Sequence, residues 1–143
     1  MNLLTTLTVL STAALSLAAP LEERDNALAA RAATICGSGY ELATAIPLPE
    51  GTDPDQRLGT LYSYIGEYGC LILDNNVGES EYMYLSLCEW DGSNCKKDTG
   101  YYSQYAGPLY LNNFACAKVT AKMGSSSSDL YIDYADENVF PCE

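Results

Sequence analysis

The six cysteines of this chain all lie downstream of an apolar N-terminal segment, and the chain contains no histidine. They are Cys36, Cys70, Cys88, Cys95, Cys116 and Cys142. An even number of cysteines in a short exported chain is typical of a disulfide framework, because small domains in oxidising compartments use bridges to supplement a limited hydrophobic core. We therefore expect three disulfides bracing one compact domain.

Residues 1–18 have the pattern of a secretory signal peptide. An apolar run ends in the small residues that favour cleavage, and we expect the cut after Ala18. The run is short and interrupted by Thr and Ser, which favours a cleaved leader over a membrane anchor. The sequence therefore predicts an extracellular protein without stable membrane insertion.

Residues 19–31 form a charged, Ala-rich segment without cysteine that ends in Arg31. This segment is either a pro-segment trimmed after Arg31 or a disordered N-terminal tail. The domain proper then spans residues 32–143, and a chain of that length supports a single hydrophobic core.

The chain is strongly acidic, with 19 Asp and Glu against 7 Lys and Arg and a net charge of −12. Such a chain is repelled by nucleic-acid phosphates and by anionic lipid headgroups. We therefore expect no nucleic-acid partner.

Alternation of apolar and polar residues, with a period of two, predicts strands from Tyr40 onward. In residues 80–88, Met83, Leu85 and Leu87 share one face, and tyrosines take the other. The alternating runs are separated by turn-forming clusters. These clusters are residues 49–54, 74–76, 91–94 and 124–128. The pattern indicates an all-β fold, a compact antiparallel sandwich or barrel of about eight strands.

One short helix is compatible with residues 53–58, where Pro54 follows an Asp that can cap the first turn. Elsewhere the sequence has no convincing helical stripe.

Six cysteines allow 15 pairings, of which only one is favoured by spacing. Cys88 and Cys95 flank a tight loop, so we expect them to be bridged at the mouth of a hairpin. Of the other four, a bridge between Cys36 and Cys142 would join the chain ends and one between Cys70 and Cys116 would cross-link strands. Pairing of neighbours in sequence is the open alternative.

The chain lacks the residues that most catalytic sites need. Without histidine there is no Ser-His-Asp or Cys-His arrangement, and bridged cysteines supply no thiolate. Paired carboxylates of the glycosidase kind stay possible, but acidic residues are too common for a pair to be informative. We expect no enzyme activity, no cofactor and no metal site, and we interpret the acidic loops at Asp74 and Asp91 as turns rather than calcium ligands.

Tyrosine is the unusual component of the composition, with 12 residues beside 2 Phe and 1 Trp. Cross-strand tyrosine pairs stabilise sheets, and exposed tyrosines also serve as recognition surfaces. Tyr101, Tyr102 and Tyr105 are followed by Gly107 and a proline, as in a recognition loop, and they form our candidate surface.

The region between the first and last cysteines resembles the small secreted cysteine-rich effector and elicitor proteins of filamentous fungi. The resemblance rests on the APLEER segment and on three further stretches, at residues 36–40, 69–76 and 105–108. It implies a β-rich extracellular protein related to hypersensitive-response-inducing elicitors, without a shared catalytic motif.

The leading hypothesis is therefore a secreted virulence effector or elicitor that recognises a host protein or cell-wall component and modulates plant defence. An antimicrobial or killer-toxin-like protein is one alternative, although such toxins are usually cationic. A secreted hydrolase or an inhibitor of one is the other. A homodimer remains open.

Protein collected from culture medium should begin at about Ala19 or Ala32 and carry no free thiol. Intact-mass measurement before and after alkylation checks both expectations. Alkylation of the non-reduced protein would contradict the three-bridge framework.

Overall fold

The computed structural model describes residues 21–142. Within them the chain forms helix α1 (Leu21–Cys36), a 3-10 helix (Pro54–Gln56) and eight strands. The strands are β1 (Glu41–Leu48), β2 (Gly59–Ile65), β3 (Gly69–Asn75), β4 (Glu81–Cys88), β5 (Lys96–Tyr102), β6 (Tyr105–Leu111), β7 (Lys118–Ser126) and β8 (Asp129–Asp136). The leader expected at residues 1–18 lies outside the described residues.

The eight strands form two antiparallel sheets of four strands each. The first sheet has the order β1-β2-β3-β6, and the second has the order β5-β4-β7-β8. The tight connection between β5 and β6, which we name the β5–β6 hairpin, carries the chain from the second sheet to the first, and its two strands are not paired with each other. The expected all-β fold is thus confirmed, and of the two architectures the structure shows a sandwich rather than a closed barrel.

The main core lies between the two sheets and is built from residues that alternate along each strand. Met83, Leu85 and Leu87 of β4 have no exposed surface, as their alternation predicts. They pack with the inward residues of the neighbouring strands. Leu61, Leu71, Leu73, Val119, Ala121, Met123 and Ile132 belong to the same cluster.

Helix α1 packs on the outer face of the first sheet and forms a second, smaller core there. Ala32 and Cys36 are buried against tyrosines and an isoleucine of β2 and β3. Five alanines between residues 27 and 33 favour the helix, since alanine has the best helix propensity. The helix ends at Gly37, which adopts φ +111 and donates its N–H to the Ala33 carbonyl, 3.2 Å away.

The expected boundary at Arg31 falls inside α1, because the helix continues without a break to Cys36. Residues 21–31 are therefore helical and not a disordered tail. Arg31 forms an ion pair with Asp74 of β3, which ties this segment to the sandwich. Trimming after Arg31 stays a prediction.

The structure has three disulfides, and every cysteine takes part in one. Cys88 is bridged to Cys95, as the short spacing suggests. The other two expected pairs are wrong: the bridges are Cys36–Cys70 and Cys116–Cys142. Cys36 ends α1 directly above β3, so Cys70 lies nearer to it than the C-terminal segment does. Neighbour pairing in sequence is the alternative that holds.

The short helix expected near Pro54 is present as a single 3-10 turn. Its cap is Asp53, whose carboxylate accepts the N–H of Asp55 at 3.0 Å.

The turn expected at residues 74–76 is displaced, because Asp74 and Asn75 are buried residues of β3. The turn expected at 124–128 is shorter, since β7 continues to Ser126. In the described part of the chain, no helix is long and apolar enough to cross a membrane.

The three disulfides should contribute unequally to stability, because a bridge that closes a longer loop restricts the unfolded chain more. Replacing Cys88 and Cys95 by Ala should lower the free energy of unfolding by about 2.5 kcal/mol, and replacing Cys36 and Cys70 by about 4 kcal/mol. Urea denaturation of the two double variants measures this order. An equal or larger loss for the Cys88 and Cys95 variant would contradict it.

Candidate recognition surface

The outer face of the second sheet, which we name the open face, presents tyrosines, hydroxyl groups and lysines. Its residues alternate with the buried residues of β4 and β7 and with the partly buried residues of β5, and they lie beside one another in the strand register. They are Tyr82, Tyr84, Ser86, Lys97, Thr99, Tyr101, Thr120 and Lys122. Since α1 packs on the first sheet, it leaves this side of the sandwich accessible.

Tyr101 is the most exposed tyrosine of the open face. Its side chain is 60% exposed, and its ring meets the ring of Tyr82 edge-on, with the centroids 5.8 Å apart. Such a cross-strand aromatic pair holds both rings in place. The open face therefore has a fixed pair of aromatic rings at the beginning of β4, close to the β5–β6 hairpin.

Tyr84 lies one step further along the sheet, between two lysines. The Nζ atoms of Lys97 and Lys122 lie 5.7 Å and 5.3 Å from its ring centroid. Both are within the range of a cation–π interaction. The ring and the two ammonium groups form one amphipathic unit at the centre of the open face.

All four lysines of the chain lie on β5 and β7 of the second sheet. The other two are Lys96 and Lys118. In a chain of net charge −12, Lys97 and Lys122 give the open face a positive patch around Tyr84. The second sheet as a whole is not basic, because it also carries five acidic residues, of which Asp133 lies opposite Lys122. An acidic group on a partner would therefore be attracted to the two ammonium groups beside Tyr84.

Tyr102, the second candidate tyrosine, is a structural residue of the hairpin. Its hydroxyl donates to Oδ1 of Asp98 at 2.5 Å, and Oδ2 of Asp98 accepts the N–H of Gly107 at 2.8 Å. This hydrogen bond and burial raise the pKa of Tyr102. Asp98 therefore joins β5 to β6 at a point where Gly107 has φ +98, a conformation that favours glycine.

Tyr105, the third candidate, packs against the cluster beneath α1 on the first sheet. It nevertheless lines a shallow depression of about 470 Å³ at the hairpin together with the other two tyrosines. The depression is completed by Asp98, Ser103, Gln104 and Gly107. The structure thus brings the three predicted tyrosines together. In the described interactions, Tyr102 and Tyr105 contact the two cores and Tyr102 also donates a hydrogen bond to Asp98, whereas Tyr101 has neither kind of contact.

Two further tyrosines of the second sheet also have structural roles. The hydroxyl of Tyr131 donates to Glu81 at 2.6 Å, and that of Tyr134 donates to Asp136 at 2.9 Å. Burial raises the pKa of both phenols, so both stay neutral donors over the physiological range. They brace β8 and do not belong to the open face.

Trp90 is not among the predicted surface residues, yet it is 61% exposed on the loop closed by Cys88–Cys95. The loop is held by its own hydrogen bonds: the N–H of Gly92 donates to the carbonyl of Glu89 at 2.8 Å. A signal was present in the sequence, since the one tryptophan of the chain lies between two close cysteines and tryptophan is enriched at binding hot spots.

The carboxylate of Asp91 belongs to a turn within the same loop. One of its oxygens accepts the N–H of Ser93 at 3.0 Å and the Ser93 hydroxyl at 2.6 Å. These bonds lower the pKa of Asp91, because they stabilise the charged carboxylate. Among residues 21–142, no group of three or more Cys, Asp or Glu side chains is arranged to hold a metal ion.

No protein-family model, curated protein or solved structure matches this chain. The functional site is therefore inferred from the residues of the chain itself.

Replacing Tyr101 by Ala should lower the free energy of unfolding by at most about 1 kcal/mol, since only one aromatic pair is lost. Replacing Tyr102 by Ala should cost about 2–3 kcal/mol, because core contact and a charged hydrogen bond are lost together. Urea denaturation compares them. Equal losses would show that Tyr101 is structural and would remove it from the candidate surface.

Proposed function

We propose that this protein is a secreted effector or elicitor of the fungal cysteine-rich type, which acts on a plant by binding a host component through its open face. The observation that carries the proposal is the unit of Tyr84, Lys97 and Lys122 beside the exposed Tyr101. The proposal assigns no catalytic residue to the chain.

The architecture supports recognition on a rigid surface. Two of the disulfides, Cys88–Cys95 and Cys116–Cys142, lie at the ends of strands that form or border the second sheet. A surface fixed in this way loses little conformational entropy when it binds a partner. Exposed tyrosines contribute a large contact area with few rotatable bonds.

The charge distribution narrows the kind of partner. The lysines of the open face favour a host component that carries carboxylates, either an acidic protein surface or an acidic cell-wall polysaccharide. The aromatic rings fit both classes, because they pack against apolar side chains and against sugar rings. The acidity of the chain as a whole disfavours an antimicrobial mode that depends on anionic lipids.

Infiltration of the purified protein into leaves tests the proposal, with cell death and the oxidative burst followed over a dose series. We expect Tyr101→Ala combined with Lys97→Gln and Lys122→Gln to raise the effective dose by about tenfold or more, since hot-spot truncations commonly cost about 2 kcal/mol. Tyr68→Ala is the matched control. Tyr68 is an exposed tyrosine of the segment between β2 and β3, 38% exposed, so its loss should leave the dose unchanged.

Circular dichroism on the same preparations establishes that each variant is folded. A folded triple variant with undiminished activity would exclude the open face. Growth inhibition of competing microbes by protein that is inert on leaves would favour the antimicrobial alternative. Release of sugars from cell-wall polysaccharide would favour the hydrolase alternative.

A further inference from the structure

Asp74 is a buried carboxylate on the outer face of the first sheet, and it holds the guanidinium group of Arg31. Its side chain is 2% exposed, and Nη2 of Arg31 donates to both of its oxygens. Burial raises the pKa of Asp74, whereas Arg31 and Asn76 act in the opposite direction by favouring the charged form. A carboxylate in this position is stabilised by a cationic partner.

The position of Asp74 is fixed by groups that do not belong to α1. Nδ2 of Asn76 donates to Oδ2 of Asp74 at 3.3 Å, and the Thr60 hydroxyl donates to Oδ1 of Asn76 at 2.6 Å. Thr60 in turn accepts from Nη1 of Arg57 at 3.3 Å. The groups that hold Asp74 in place for Arg31 therefore belong to β2, β3 and the segments next to these strands.

The helical segment that supplies Arg31 is tied to the sheet unevenly. Residues 32–36 are anchored by the Cys36–Cys70 disulfide and by Tyr110, whose hydroxyl donates to the Cys36 carbonyl at 2.9 Å. Residues 21–31 have no disulfide. Their described polar contacts to the sheet are the Arg31 ion pair and the bond that the Tyr64 hydroxyl donates to the Ala29 carbonyl.

We propose that Asp74, with Asn76, is a binding site for an arginine side chain of a protein partner. The chain's own Arg31 occupies this site until the segment that ends at Arg31 is removed. The negative charge of the chain favours the approach of such a partner. Because this site lies on the first sheet, it does not depend on the function proposed for the open face.

Removal requires hydrolysis of the Arg31–Ala32 peptide bond by an arginine-specific endoprotease. One water is added: Arg31 retains the new carboxylate, and the nitrogen of Ala32 becomes an ammonium group. The side chain of Arg31 is 48% exposed, so a protease can reach it when the helix opens locally. Once cut, residues 21–31 are shorter than the roughly 12–15 residues that an isolated helix needs in water, so the segment should dissociate.

The experiment starts from the folded, secreted protein and an arginine-specific endoprotease. Mass spectrometry identifies molecules cut after Arg31 and intact at Arg57, and gel filtration removes the released segment. Acetyl-arginine amide and acetyl-citrulline amide are then titrated into cut and uncut protein and followed by NMR. Citrulline has the shape of arginine without its charge, so it is the matched control for the ion pair.

We expect the arginine probe to shift the amide signals of Asp74, Asn76 and Thr60 in the cut protein only. Binding of the citrulline probe should be at least tenfold weaker. Asp74→Asn, which preserves the shape of the side chain, should abolish the response in cut protein whose spectrum is otherwise native.

Several results would overturn the proposal. They are resistance of the folded protein to cleavage after Arg31, persistence of the segment on the cut protein, equal binding of the two probes, and equal responses of cut and uncut protein. If the arginine probe shifts no amide signal in the cut protein, the proposal is also wrong. This includes the case in which the new ammonium group of Ala32 pairs with Asp74 in place of Arg31. Since the comparison of the two probes uses cut protein that carries no substitution, the proposal remains testable if Asp74→Asn fails to fold.

Discussion

The disulfide between Cys36 and Cys70 makes the outer faces of the two sheets unequal. It fixes the C-terminal end of α1 on β3, where the helix buries Ala32 against Tyr62 and Tyr64. A sandwich of two four-stranded sheets has two outer faces, and each must be either solvated or covered. With one helix fixed on the first sheet, that side becomes a second core and the opposite side remains a surface.

The tyrosines follow this division. Half of them, Tyr40, Tyr62, Tyr64, Tyr68, Tyr105 and Tyr110, lie on or near the first sheet. Two of them donate their hydroxyls to helix carbonyls, Tyr64 to that of Ala29 and Tyr110 to that of Cys36. Tyr82, Tyr84 and Tyr101 instead lie on the open face, where Tyr82 and Tyr101 pack against each other and Tyr84 lies beside two lysines. The same residue type therefore serves two purposes, and its place in the fold decides which: beneath α1 a tyrosine joins the second core, and on the open face it joins the surface.

Much of the sandwich could be predicted from the sequence, because the alternation of Met83, Leu85 and Leu87 is a local property of one strand. The Cys88–Cys95 bridge was predictable for the same reason, since only a short loop has a clear advantage in closure entropy. The longer bridges differ little in that entropy, so spacing could not select Cys36–Cys70. Asp74 resembled a turn residue because its role depends on Arg31, 43 positions away. The three candidate tyrosines were brought together at the hairpin, but local sequence could not show that Asp98 holds Tyr102.

The two faces also differ in the sign of the charge that they present. The open face gathers lysines in an acidic chain, whereas the first sheet holds a carboxylate whose present partner is a guanidinium group. Ion pairs at such sites favour partners of opposite sign and penalise like charges. A partner suited to Lys97 and Lys122 is therefore unsuited to Asp74. If both sites bind, they should bind different groups, on opposite sides of the sandwich, and occupancy of one leaves the other accessible.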